Sequence, residues 1–394
     1  LFTAGVVMSA RDLRTSHGHL DFLQPLYLKA PVNSPVAAAT TWLAVVLMGT
    51  YDKGRPYHLE RQLLTKVVEN TLVALKDPTL SLKDETLMVV LILSYGEHLR
   101  NQRYGRQSSA SIIHQQGAEA LIRKRGDLNF RNRTALSLFD AIRHNAVNQA
   151  ILEVRKPTNW DLWDLDQNTA QLCDSYTPAT ELDACAVTVE TLKRRVKSKA
   201  LCADSTLRKD VLELTERLRL WPSHAPIDWL PQQGPFGLDE DLAPEVTYLF
   251  YQWHLLQVVM SHLTKELDMR TDPATTLQTW DCSTELQCID KLIKCEDVLL
   301  SSCSKESRRF ESAEETPAVS LPKRFPRATV EQCHQSPFGS RLVRQTLVKL
   351  NSILSKALQE LPLPTEVASR YAEVVSWARR ESDTIGEAFP LAAS

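Results

Sequence analysis

Residues 84–126, DETLMVVLILSYGEHLRNQRYGRQSSASIIHQQGAEALIRKRG, decide the fold. Ser81-x-x-Asp84 precedes an apolar run and can cap the first turn of a helix by accepting its free backbone N–H groups. Leu87 to Leu93 are seven consecutive apolar residues. A helix apolar on every side must be buried on every side, so this one belongs at the centre of a bundle. After a polar connection containing Gly105, a second helix starts near Ser109 and ends in Arg123-Lys124-Arg125-Gly126. Cations suit the negative end of a helix, and glycine stops it.

Outward from this pair, the same pattern recurs. Ser34-Pro35 reads as an N-cap with proline at the first helical position, opening a buried helix through Trp42, Leu43, Val46 and Leu47. Before it, Leu20 to Leu28 form a short apolar helix interrupted around Pro25. Leu64, Val67, Val68, Leu72 and Leu75 have helical spacing, and Asp77-Pro78 ends that helix. A further helix runs from about Thr134 to Val154, with a stripe of Leu138, Phe139, Ile142 and Ala146. Helices are also expected at about 165–200, 204–220, 244–267, 276–302, 337–360 and 364–382, with a mobile loop at about 304–336. Almost no stretch alternates with period two. The expected fold is all-α, stacked antiparallel helix hairpins forming a large helical array or bundle, with an N-terminal part at 1–157 and a C-terminal part of the same domain at 158–394.

Bulk composition narrows function. The chain has 394 residues with a formal net charge of −2, lacking the strong Lys and Arg excess of a nucleic-acid-binding domain. Its longest apolar segment, Val36 to Tyr51, is interrupted by threonines and is shorter than the ~20 residues a spanning helix needs, so no membrane partner is expected. No signal peptide is visible, and the start at Leu1 is expected of a fragment. None of the eight cysteines forms a Cys-x-x-Cys pair, so no zinc knuckle is encoded and free thiols are expected.

No phosphate loop, nucleophile elbow or His-Glu-x-x-His helix is present, so no catalytic, cofactor-binding or metal residue is assigned. His114 can be a ligand or base, or simply a partly buried histidine. Asp84 serves better as a cap than as a metal ligand, and Asp239 to Asp241 lie in a loop rich in Gly and Pro. Cys288 and Cys295 are expected to pack as small hydrophobes. Gly117, costly in mid-helix, is expected where two helices approach closely. The basic run Lys193-Arg194-Arg195 can touch phosphate or act as an import signal, or be a solvated face.

The central stretch resembles a known family. Asp84-x-Thr86-Leu87, Leu91-x-Leu93-x-Tyr95-x-Glu97 and His114-x-x-Gly117-Ala118-x-x-Leu121-Ile122-x-x-Arg125-Gly126 are similar to the fungal-specific transcription factor domain. The likeness extends to Leu138-Phe139-x-x-Ile142-Arg143 and Pro157, and back to His19 through Tyr27. Further on, Leu218-x-x-Trp221 with Trp229 resembles its linker, and Tyr248 to His262 its aromatic helix. Two departures stand out: in the aromatic helix Trp253 is followed by His254, with Gln257 where members often carry arginine, and the six-cysteine cluster is absent from these residues.

The resemblance implies the helical regulatory region that follows a Zn2Cys6 cluster: nuclear, non-enzymatic, and controlling a metabolic or secondary-metabolite gene set. It implies zinc only in an upstream cluster, DNA contact through that missing domain, a homodimer in the full-length protein, and coregulators or a small-molecule effector as partners. The alternative is an enzyme or small-molecule-binding protein reusing the scaffold, with His114, Tyr248, Trp253 and His254 as pocket candidates. The sequence upstream of Leu1 separates the two. Six cysteines in two Cys-x-x-Cys halves joined by a basic loop are expected there on sequencing the full reading frame, and a short cysteine-free leader would contradict the regulatory assignment.

Overall fold

The computed structural model describes residues 23–51, 57–104, 110–151, 177–197, 206–226, 229, 244–271, 283–311 and 337–387. Among them the chain is all-α: helices without strands, packed against one another. In chain order they are α1 (Leu23–Lys29), α2 (Pro35–Tyr51), α3 (Tyr57–Lys76), α4 (Asp84–Tyr104), α5 (Ala110–Arg125) and α6 (Arg133–Ile151). The second set is α7 (Pro178–Lys197), α8 (Leu207–His224), α9 (Pro244–Thr271), α10 (Ser283–Glu311), α11 (Pro337–Glu360) and α12 (Thr365–Glu387). Two compact units divide the chain: α1 to nearly the end of α6 lie in one, and α7 to α12 in the other. Among the described residues, no helix is long and apolar enough to cross a membrane.

In the first unit α4 is the central element. Leu87 to Leu93 are all buried, as an apolar run requires, because α2 and α5 cover α4 along its length and α3 adds a smaller contact. Ser34 caps α2 by accepting the Ala37 N–H at 3.2 Å, and Asn132 caps α6 through the Ala135 N–H at 2.8 Å. Gly126 takes φ +52°, the left-handed conformation that ends α5.

Asp84 does not cap α4. It is the helix's first residue, and its carboxylate accepts from the buried Arg125 guanidinium and from Asn132 Nδ2 at 3.3 Å. Arg125 also donates to Asn129 Oδ1 at 3.1 Å, and Asn129 Nδ2 returns to the carbonyls of Ile122 and Gly126 at 2.7 and 2.9 Å. Lys124 Nζ reaches Ser81 Oγ at 2.6 Å. The basic end of α5 is therefore used to tie α5 to the start of α4 and the approach to α6. That is more specific than favourable placement at a helix dipole.

The close helix approach falls on Gly96. A Cβ there would stand 2.4 Å from the indole of Trp42, which is fully buried on α2. At Gly117 a Cβ would meet only Val90 Cγ1, at an ordinary 3.7 Å. A charged clamp supports the same crossing region: Arg100 donates to Glu60 of α3 at 2.5 Å and to Glu97 at 2.7 Å.

Three features differ from the sequence expectation. Residues 304–311, expected in a mobile loop, continue α10 to Glu311; 312–336 lie outside the described residues. Trp221-Pro222 sits in the last turn of α8, where the helix needs few further N–H donors. Leu72 on α3 is 52% exposed, whereas Glu60, Val67, Thr71 and Ala74 form the buried face.

These contacts separate the two glycines. Gly96→Ala is expected to lower unfolding free energy by about 1–3 kcal/mol, since the indole has no free direction to move. Gly117→Ala is expected to be neutral or to stabilise by up to about 1 kcal/mol through helix propensity. Urea denaturation of both variants checks this; equal effects would show that the Trp42 contact does not select Gly96.

Candidate functional site

The second unit is also organised around one buried helix. α9 packs against α7, α8, α10 and α11, and buries residues from Val246 to Leu267 on all sides. Polar side chains are spread along its buried length, among them Thr247, Gln252 and His254, and a buried polar atom is costly without a partner.

Its first turns are held by aromatics. Trp253 packs on Trp221 of α8 at 5.9 Å between ring centroids, with Phe250 edge-on to both. The two indole N–H groups donate to the carbonyls of Pro178 and Leu218, at 2.9 and 2.7 Å. Tyr251 donates to the Thr346 carbonyl of α11 at 2.6 Å. Tyr248 Oη accepts from Gln252 at 3.3 Å and from the buried Lys349 at 3.2 Å, whose ammonium also lies 5.5 Å from the Tyr248 ring centre.

The candidate residues of the sequence are thus placed separately. His114 is on α5 in the first unit, half-buried; burial lowers its pKa and the charge of Glu97 opposes that. Tyr248, Trp253 and His254 are on α9. Trp253 is a packing residue with its donor satisfied, and Tyr248 an acceptor for Lys349. His254 is 3% exposed, and burial, then the charge of Lys291, lowers its pKa from 6.5 to about 3. Such a histidine stays neutral across the physiological range and is not poised as an acid or base. Its Nδ1 has no hydrogen-bond partner among the described residues.

A polar cluster that the sequence did not single out lies two turns further along α9. Glu285 of α10, 3% exposed, accepts from Ser261 Oγ at 2.8 Å, from His262 Nε2 at 2.9 Å and from Lys265 Nζ. His262 Nε2 also lies 2.8 Å from Tyr371 Oη of α12, which is fully buried. Burial alone would raise the Glu285 carboxyl. The hydrogen bond and charge of His262, followed by those of Lys265, outweigh burial and hold its pKa at about 2. An ionised carboxylate only accepts, so His262 carries its proton on Nε2 and the ring orientation is fixed.

His262 also borders a small open groove of about 70 Å³ between α7, α9 and α11. Val259 and Leu263 of α9, with Ile353 and Ala357 of α11, give it an apolar floor. Lys193 and Lys197 of α7 and Lys356 of α11 stand around it, with Glu266 and Glu360. The basic run noted in the sequence is divided by this geometry. Lys193 turns to the groove and pairs with Glu190 at 2.5 Å, while Arg195 reaches Asp210 of α8 at 2.6 Å and Thr206 at 3.0 Å.

Cys185, Cys288 and Cys295 are buried free thiols. Burial pushes Cys185 and Cys288 up to about 11 and raises Cys295 further, so none is a ready thiolate. Among the described residues no three His, Cys, Asp or Glu side chains are grouped to hold a metal ion. Neither family models, nor curated proteins, nor solved structures give a match to this chain.

His262 was legible only as part of a long helix. The i, i+3 spacing of His262 and Lys265 shows that they share a face, but their partner is 20 or more residues away on another helix.

Acid should act on this unit through two groups of depressed folded pKa. His254 contributes stability above pH 6.5 that is lost as pH falls toward about 3, because only the unfolded ring takes a proton there. Glu285 contributes stability above its ordinary 4.5 that is lost as pH falls toward about 2. His254→Leu is expected to flatten the first window. Glu285→Gln is expected to cost about 3–5 kcal/mol at neutral pH, by stranding Lys265, and to flatten the second. Urea midpoints measured from pH 8 to 2 check both; an unchanged slope between pH 6.5 and 3 in His254→Leu would show that His254 is not held neutral.

Proposed function

We propose that the chain is the regulatory, non-DNA-contacting region of a fungal zinc-cluster transcription factor. The observation that carries this is the string of family-like residues from His19 to Pro157, centred on α4 and α5. The all-α architecture is compatible with it. On this proposal the protein is nuclear, contacts DNA through an upstream cluster, forms a homodimer in its full-length form, and acts on a metabolic or secondary-metabolite gene set. The helical region modulates that activity through coregulators or a small effector.

A second proposal, a small-molecule-binding protein on the same scaffold, is favoured by one feature: the groove beside His262, with its apolar floor and charged rim.

The regulatory proposal is tested by fusing the chain to an unrelated DNA-binding domain and measuring a reporter gene in a fungal host. Transcription is expected to change at least severalfold against the DNA-binding domain alone, in either direction. A fusion that is expressed, enters the nucleus and leaves the reporter unchanged would count against a regulatory role.

A further inference from the structure

We propose that the cationic corner where α6 begins docks an acidic peptide segment of a partner protein. This goes beyond the regulatory proposal and does not rest on it, because binding to the chain is measured without any reporter.

Hydrogen bonds fold two separate stretches of sequence into this corner. Asp84, at the start of α4, accepts from Arg125 at the end of α5 and from Asn132, which caps α6. Lys124 Nζ lies 2.6 Å from Ser81 Oγ. Residues 81–85 and 123–133 therefore share one end of the first unit, and they carry six Lys or Arg against three Asp or Glu. The whole chain has a net charge of −2, so the excess is local. Lys83, Arg123, Lys124, Arg131 and Arg133 are all exposed.

Fold stability accounts for only part of this set. Cations at the end of α5 suit the negative end of that helix. Arg131 and Arg133 instead flank Asn132 at the start of α6, a positive helix end where carboxylates are favoured. The first turn of α6 holds no acidic residue. Among the described residues, neither arginine has a side-chain hydrogen bond or ion pair to offset that placement. Side chains set against their local electrostatic preference mark positions chosen for something other than folding. An anionic partner supplies the charge that the fold leaves out.

The pattern of charge favours a peptide. Glu85 and Asp127 are exposed in the same corner, interleaved with the cations. A nucleic-acid backbone carries a charge on every unit and would meet these carboxylates as well as the arginines. The carboxylates of a peptide are separated by neutral residues, so they can meet the cations and pass the acids. A guanidinium also holds a carboxylate through two parallel N–H···O bonds, and two such groups stand on either side of Asn132.

Fluorescence anisotropy of the full chain at low salt, with a labelled peptide of glutamate and serine, tests the proposal. The peptide is expected to bind saturably with a Kd below about 200 µM. Its glutamine counterpart and a labelled oligothymidylate are each expected to bind at least about tenfold more weakly, and added salt to weaken the acidic peptide, since the cations are exposed. Arg131→Glu together with Arg133→Glu is expected to weaken the peptide at least about tenfold while keeping or raising Tm, because glutamate suits that helix end. Lys209→Glu, on an exposed residue of α8, is expected to leave binding unchanged. Full affinity in the double variant, an equal loss in Lys209→Glu, or tighter binding of the oligothymidylate would each overturn the proposal. So would a lower Tm or loss of folding in the double variant, which would assign the arginines to the fold, or no saturable peptide binding below about 1 mM.

Discussion

A helix buried on every side has to be surrounded, and each unit is arranged to satisfy that demand for one helix. In the first unit α4 is apolar and buried from Leu87 to Leu93, so over that run α2, α5 and α3 need only shape to cover it. The tightest point is Gly96 against Trp42, where absence of a side chain lets the indole lie against the helix backbone. In the second unit α9 has the same central place but a mixed surface. Its hydroxyls, amides and imidazoles must find partners in the helices around it.

That difference explains where the polar chemistry accumulates. In the first unit the buried charges include Asp84 with Arg125, Glu60 and Glu97 with Arg100, and Arg143 with Asp140 on α6. Removing one member of such a pair leaves an uncompensated charge, so these contacts specify arrangement more than they add net stability. In the second unit Glu285 gathers Ser261, His262 and Lys265 along α9, and Tyr371 joins from α12. The carboxylate thereby ties α10 to α9 and fixes the tautomer of His262, through which the network reaches α12.

Burial also decides which of the chemically suggestive residues are inert. His254 is held neutral, the thiols of Cys185, Cys288 and Cys295 are pushed away from the thiolate, and Trp253 uses its donor on a helix carbonyl. The groove that His262 borders is instead lined by Lys193, Lys197 and Lys356 with Glu266 and Glu360 around an apolar floor. Recognition by such a surface rests on charge and apolar contact together, and it fits a binding or regulatory element as readily as any other role for a helical scaffold.

The sequence by itself determined the fold class and most element positions. Capping at Ser34-Pro35, the seven-residue apolar run of α4, and the stop at Gly126 are local signals, read from neighbours along the chain. It also marked α9 as an aromatic, strongly helical segment. Tertiary structure decided which glycine meets a tryptophan, that Asp84 takes Arg125 instead of capping, and that His262, not His254, borders open space. Each of those depends on side chains tens of residues apart. Periodicity tells which face of a helix is covered, but the identity of the covering residue is fixed only when the helices pack.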